Sequence, residues 1–189
     1  HYAGVVARLS PLTRGPDQMQ AKRRLDLEYD NIRGAFDALL EIGDIERYLT
    51  MGFDLYIHHQ HNGMQIEGRD TLLAGIRAAP DDPDTWVLLK AWYVMTIFSA
   101  EITDPGGIPH GREGLALAKT MNSPNAEGRA HLALAAVIRH STPDPEYLEH
   151  LHRARELLET HPEPHWWEPK WDEASTLLLL GAYLPPEDT

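Results

Sequence analysis

The sequence predicts an all-α fold, an α-solenoid of stacked helix pairs, and three observations point there. A helix–turn–helix pattern recurs about every 40 residues: units open near Asp44, Asp84, Asn125 and His165, at spacings of 40, 41 and 40. A fixed period in this range marks arrays in which each helix pair buries its apolar side only by stacking on its neighbours. Apolar residues inside the units recur at helical spacing. Turn formers fall between the helices, at Asn62-Gly63, Ala79-Pro80, Ser141-Thr142-Pro143 and His161-Pro162.

The elements follow in order. Tyr2, Val5, Val6 and Leu9 lie on one helical face, and Arg14-Gly15-Pro16 interrupts the run. From Asp17 to Ile42 the pattern is helical, with Leu25, Ile32, Ala35, Phe36, Leu39 and Leu40 as its buried set and a bend or break expected around Leu27–Tyr29. Gly43 is placed to end it, because glycine takes the left-handed conformation cheaply. Residues 1–43 thus form a leading helical block, and 44–189 the repeat array. The first pair spans Asp44–His61 and Met64–Arg77, with Leu49, Phe53 and Tyr56 set against Ile66, Leu72, Leu73 and Ile76. The second pair spans Asp84–Ile102 and His110–Met121, and the third Asn125–His140 and Pro145–His161. A last helix, Glu168–Leu184, has no return partner.

Composition narrows the function. The chain has 189 residues, 42% hydrophobic and 24% charged, as in an ordinary folded domain. No apolar run approaches the length of a transmembrane helix. With no cysteine, disulfides and thiolate chemistry are excluded, which fits a cytoplasmic protein. A net charge of −12 and only four lysines argue against a nucleic-acid surface. The start at His1-Tyr2, with no signal peptide, reads as a piece of a longer protein.

In the third pair, Leu134-Ala135, Ile138, Tyr147, Leu151 and Ala154 follow the large–small alternation of tetratricopeptide repeats, and Leu180-Gly181 and Leu184 restart it. Small residues let paired helices approach closely while large neighbours fill the gaps. Gly52, Ala135, Ala154 and Gly181 are therefore expected at helix–helix contacts, in a right-handed superhelix of such pairs.

Further stretches carry a family resemblance. They are His1-Tyr2, Arg14-Gly15-Pro16-Asp17-Gln18, the run Glu28-Tyr29-Asp30-Asn31-Ile32-Arg33-Gly34-Ala35, Gly43-Asp44, and Gly63 followed by Glu67-Gly68-Arg69. Gly114–Met121, into Pro124 and Ala130, extends the likeness. Together they resemble the segment after the nucleotide-binding module in large bacterial LuxR/AfsR-type transcriptional and signalling regulators. Glu28–Arg33 is the most specific part, and the likeness covers roughly residues 1–140. His58 and His59 depart from it, standing where these proteins usually carry aromatics. The resemblance implies a sensor or protein-interaction arm in signal transduction, non-catalytic by itself. No Gly-x4-Gly-Lys-Ser/Thr loop is present, so nucleotide binding would belong to another part and no cofactor is expected.

Several groupings tempt a chemical reading. His58 and His61 stand one turn apart and could supply two metal nitrogens, the basis of an alternative reading as a metal-dependent enzyme. No His-Glu-x-x-His pattern accompanies them; polar side chains at a helix end, favoured there as cations by the dipole, explain them without a metal. His150 and His152 are read as surface residues. Asp104–Pro109 is glycine-rich but lacks the Lys and Ser/Thr of a phosphate loop. Trp166, Trp167 and Trp171 suit helix packing or a partner surface. Glu67-Gly68-Arg69 is expected to be structural: Glu67 at a helix start, Gly68 at a close contact, and Arg69 paired with a carboxylate from a neighbouring helix.

The expected binding face is the concave side of the array. Tyr56 and His59 on the first pair, and Arg129, Arg139 and His140 on the third, are the candidate ligand- or partner-binding residues; Leu132 and Ala136 lie on the same expected face. Two arginines there suit a carboxylate or phosphate, or pair with acids on adjacent repeats. The partner would be a protein or a small effector. A free-standing scaffold is the alternative, and the leucines at 177–180 suggest a homodimer through the terminal helix.

Overall fold

The computed structural model describes residues 1–81 and 83–161. Every regular element among them is helical: α1 (Tyr2–Leu9), α2 (Gln18–Glu41), α3 (Ile45–Asp54), α4 (Tyr56–His61), α5 (Gln65–Arg77), α6 (Thr85–Glu101), α7 (Gly107–Thr120), α8 (Pro124–Ser141) and α9 (Glu146–Thr160). A short 3₁₀ turn, Ser10–Thr13, follows α1. Among the described residues no helix is long and apolar enough to cross a membrane. The tryptophans at 166, 167 and 171, Gly181, and the leucine-rich terminal helix expected to mediate dimerisation lie outside the described residues.

Local chemistry sets most boundaries. Gly43 and Gly63 take φ of 73° and 69°, ending α2 and α4 where a side chain would be strained. The carboxylate of Asp44 accepts from the Arg47 N–H at 3.3 Å, and that of Asp84 from the Val87 N–H at 2.9 Å. Ser123 caps α8 by accepting from the Ala126 N–H at 3.2 Å, with Pro124 in the first turn. Two boundaries differ from expectation. The helix expected over 44–61 breaks at Leu55, whose ψ of 0° departs from helical values without any glycine or proline. In the other direction, α7 starts at Gly107 and takes Pro109 into its first turn, where a missing N–H costs nothing. No interruption falls at Leu27–Tyr29, since α2 is continuous over 24 residues.

The chain divides into two compact units, His1–Phe98 and the residues from Ser99 onward, with the division inside α6. In the first unit α1 packs on α2 and α3, and α3 and α4 pack on α5. The leading block thus shares a unit with the first helix pair. Its core includes Leu25, Ile32, Met51, Leu55, Leu72 and Phe98; Leu40 and Ile66, expected inside, are 39% and 57% exposed. Two glycines bring α3 and α5 together. A Cβ on Gly52 would stand 2.8 Å from Leu72 Cδ2, and one on Gly75 would stand 2.5 Å from Leu49 Cδ2 and 2.6 Å from Tyr48 Cδ1.

In the second unit α8 packs on both α7 and α9. Leu132, Ala135, Leu151 and Ala154 form one buried cluster with Tyr147 against it, so the small–large alternation read in the sequence lies at a helix contact. Gly128 faces Leu157 and Leu158, while His131 faces His150. These contacts give α8 and α9 an antiparallel register.

Candidate functional site

A polar cluster in the first unit grows from one stripe of α2. Lys22, Asp26, Tyr29 and Arg33 recur at spacings of four, three and four, so they share a face. That face meets the residues of α4 and α5. The Tyr29 hydroxyl lies 2.8 Å from His59 Nε2. Arg33 Nε pairs with Glu67 Oε1 at 3.1 Å, and the Glu67 charge acts on Tyr29. A buried N–H is rarely left unpaired, so the His59 proton sits on Nε2, beside the phenolic oxygen of Tyr29, and Nδ1 is left bare. His59 is 1% exposed, and that Nδ1 has no hydrogen-bond partner. Gly68 closes over it; an added Cβ would stand 2.5 Å from Phe98 Cε2 and 2.9 Å from His59 Nδ1.

His58 turns the other way. Its ring lies 5.0 Å from that of Tyr29, and its Nδ1 is 3.8 Å from Asp26 Oδ1. Asn62 donates to the His58 carbonyl at 2.9 Å, and Lys22 donates to the Asn62 side chain. Burial lowers the His58 pKa, an effect the Asp26 charge opposes. For His59, burial and then the neighbouring His58 bring the pKa down to about 4. Burial and the Glu67 charge raise that of Tyr29. At neutral pH the cluster therefore holds two uncharged imidazoles and a neutral phenol beside the Arg33–Glu67 ion pair. Beside it, Lys22, His58, His61 and Gln18 line a cleft able to hydrogen-bond a small polar group.

The expectation of solvated histidines at a helix end is corrected for His58, which is 3% exposed and held neutral by burial; only His61 is exposed. Arg69 forms an ion pair with the adjacent Asp70 at 2.7 Å, on its own helix, while Glu67 makes the cross-helix bond. A separate group in this unit surrounds Asp54. Burial raises its pKa to about 6, against the opposing charges of Lys90 and Arg14.

The sequence-predicted groove residues fall into different settings. Tyr56 and His59 belong to the first unit and are 8% and 1% exposed; the Tyr56 ring packs 5.3 Å from that of Phe98. Arg129, Arg139 and His140 lie on α8 in the second unit. Arg129 is 6% exposed, and its Nε donates to Asn125 Oδ1 at 3.0 Å. Leu132 and Ala136 are buried as well. Arg139 and His140 are exposed, with the Arg139 guanidinium 5.9 Å from the Tyr147 ring. The two arginines thus do not share one open face. Burial, then the Arg139 charge, lowers the His140 pKa.

The second unit also holds a pair that sequence reasoning missed. His131 Nδ1 and His150 Nδ1 are 2.8 Å apart across α8 and α9. Glu127 lies 3.6 Å from His131 Nε2, and Glu146 lies 3.4 Å from His150 Nε2. Glu146 also binds Arg112 of α7 at 2.9 Å. The surface assignment of His150 is corrected accordingly: its side chain is only 16% exposed. Burial, then His150 and the cations Lys119 and Arg153, bring the His131 pKa down to about 4. For His150 burial also dominates and lowers it. The available signal was the antiparallel register, which sets position 131 opposite the start of α9.

Among the described residues no three or more His, Asp or Glu side chains are grouped so as to hold a metal ion. The chain matches no protein-family model, no curated protein and no solved structure.

Proposed function

We propose that this chain is the sensor or protein-interaction arm of a cytoplasmic bacterial regulator of the LuxR/AfsR type. It would act without catalysis of its own, as tetratricopeptide-like pairs wound in a right-handed superhelix. One observation carries the reading. The run most specific to the resemblance, Glu28–Arg33, and a second stretch that carries it, Glu67–Arg69, meet through the Arg33–Glu67 ion pair at 3.1 Å. A motif used to clamp one helix onto another belongs to an architecture, and its presence in sequence reports that architecture. Close helix contacts at Gly52, Gly75, Ala135 and Ala154 support the same reading.

Arg139 and His140 are the accessible members of the expected binding set and suit an anionic group on a protein or small effector. The test is an Arg139→Ala, His140→Ala double variant of the full regulator, with thermal unfolding as the control for folding. The expected result is an unchanged melting temperature and a signal response reduced at least tenfold. A full response would make this arm a structural spacer. If the gene encodes no phosphate-binding loop before these residues, the free-standing scaffold replaces the regulator.

A further inference from the structure

The His131–His150 pair poses a proton-counting problem. Each neutral imidazole carries one N–H. If both rings keep it on Nε2, toward Glu127 and Glu146, two bare lone pairs face each other across 2.8 Å. If one ring moves its proton to Nδ1, its bare Nε2 faces a carboxylate. Neither arrangement satisfies all four nitrogens. A cation between the two Nδ1 atoms does, whether a metal ion or a shared proton.

We propose that His131 and His150 form a two-nitrogen site for a divalent transition-metal ion of the zinc class. Both Nδ1 atoms are ligands, His150 Nε2–H donates to Glu146 at 3.4 Å, Glu127 stands 3.6 Å behind His131 Nε2, and water completes the coordination. The chemistry of the donors selects the ion, since neutral imidazole suits zinc, nickel and copper rather than magnesium or calcium. A carboxylate behind each ring is the arrangement that fixes the tautomer and raises the basicity of metal-binding histidines. Little movement is needed. Two nitrogens on one tetrahedral zinc stand about 3.3 Å apart at the usual bond lengths, against 2.8 Å between the Nδ1 atoms. The rings come from two helices joined by a short turn, so the bound ion ties α8 to α9.

Zinc titration of the intact chain by calorimetry tests this, with cobalt absorbance as a second readout. The site predicts one equivalent bound to the wild type, lost in His131→Ala and in His150→Ala but kept in His152→Ala, on the exposed face of α9. Glu127→Gln with Glu146→Gln retains both ligands and should weaken binding tenfold or more. Should either alanine variant fail to fold, the glutamine variant carries the test, because its ring nitrogens are intact. No equivalent tighter than that of the exposed histidines in the wild type overturns the proposal, and so does equal loss in His152→Ala. A pair that exchanges a proton with pH but binds neither ion holds a shared proton instead, which also overturns it.

Discussion

In the first unit, His58 and His59 are neighbours in sequence yet turn to different partners, one to Asp26 and Asn62, the other to Tyr29. In the second, His131 and His150 are 19 residues apart and turn to each other. Successive residues on a helix point about 100° apart, so adjacency separates side chains, whereas an antiparallel helix pair brings distant ones together. Both arrangements bury neutral imidazoles. They differ in what holds the rings: a phenol in the first unit, a second histidine in the other.

The largest expected effect lies in acid. His59 has a folded pKa of about 4, below its ordinary 6.5. The unfolded chain therefore takes up the proton first, and the His59 contribution is complete above pH 6.5 and lost as pH falls toward 4. It amounts to up to about 3 kcal/mol. Asp54 acts with opposite sign over an overlapping window: its folded pKa of about 6 exceeds 3.8, so its penalty at neutral pH is relieved on acidification. A His59→Phe variant should flatten the fall in urea-unfolding stability between about pH 6.5 and 4, and Asp54→Asn should steepen it. An unchanged slope in His59→Phe would place that ring in solvent.

Next in size, Gly68→Ala should destabilise the first unit by about 1–3 kcal/mol, because a methyl group there meets Phe98 and His59 at once. Gly128→Ala in the second unit meets the Leu157 and Leu158 side chains and should cost less, roughly 1 kcal/mol. Equal costs in denaturant melts would show that the clamp is no tighter than an ordinary helix contact.

Tyr29→Phe should cost about 1–2 kcal/mol, since it leaves His59 Nε2–H buried without an acceptor. Double-mutant cycles with Glu67→Gln should show coupling; additivity would dissolve the network into separate contacts.

The smallest effect concerns the turns. Glycine occupies the left-handed positions 15, 43 and 63 of the first unit, but Thr103 and Asn122 hold φ of 55° and 52° in the second. A β-branched residue is strained there, so Thr103→Gly should stabilise the second unit by roughly 0.5–1 kcal/mol. A loss of stability in the melt would mean that the threonine hydroxyl, which donates to the Ile102 carbonyl at 2.8 Å, outweighs the strain.

Much of the local structure was legible in the sequence. The helix start at Asp44, turns at Gly43 and Gly63, and the small residues Gly52, Ala135 and Ala154 are local signals, and each lies at an observed boundary or contact. The break at Leu55 was not legible, because no residue type marks it. Leu40 was assigned inward from helical spacing, but α2 buries a narrow stripe through Leu25, Ile32, Phe36 and Leu39. The candidate sites were the least legible. Tyr29 meets His59 only through tertiary packing, and a histidine aimed at another histidine looks, in one dimension, like any surface residue. Burial also moved Arg129 out of the exposed set, which a register drawn from one helix could not anticipate.

Long-range ¹H–¹⁵N NMR of the imidazole nitrogens, followed in the intact chain from pH 8 to pH 4.5, tests the clamp around Tyr29 most directly. His59 is expected to stay neutral, with its proton on Nε2, down to about pH 5 and to titrate only near pH 4. Titration of His59 near pH 6.5, or a proton resident on Nδ1, would contradict it.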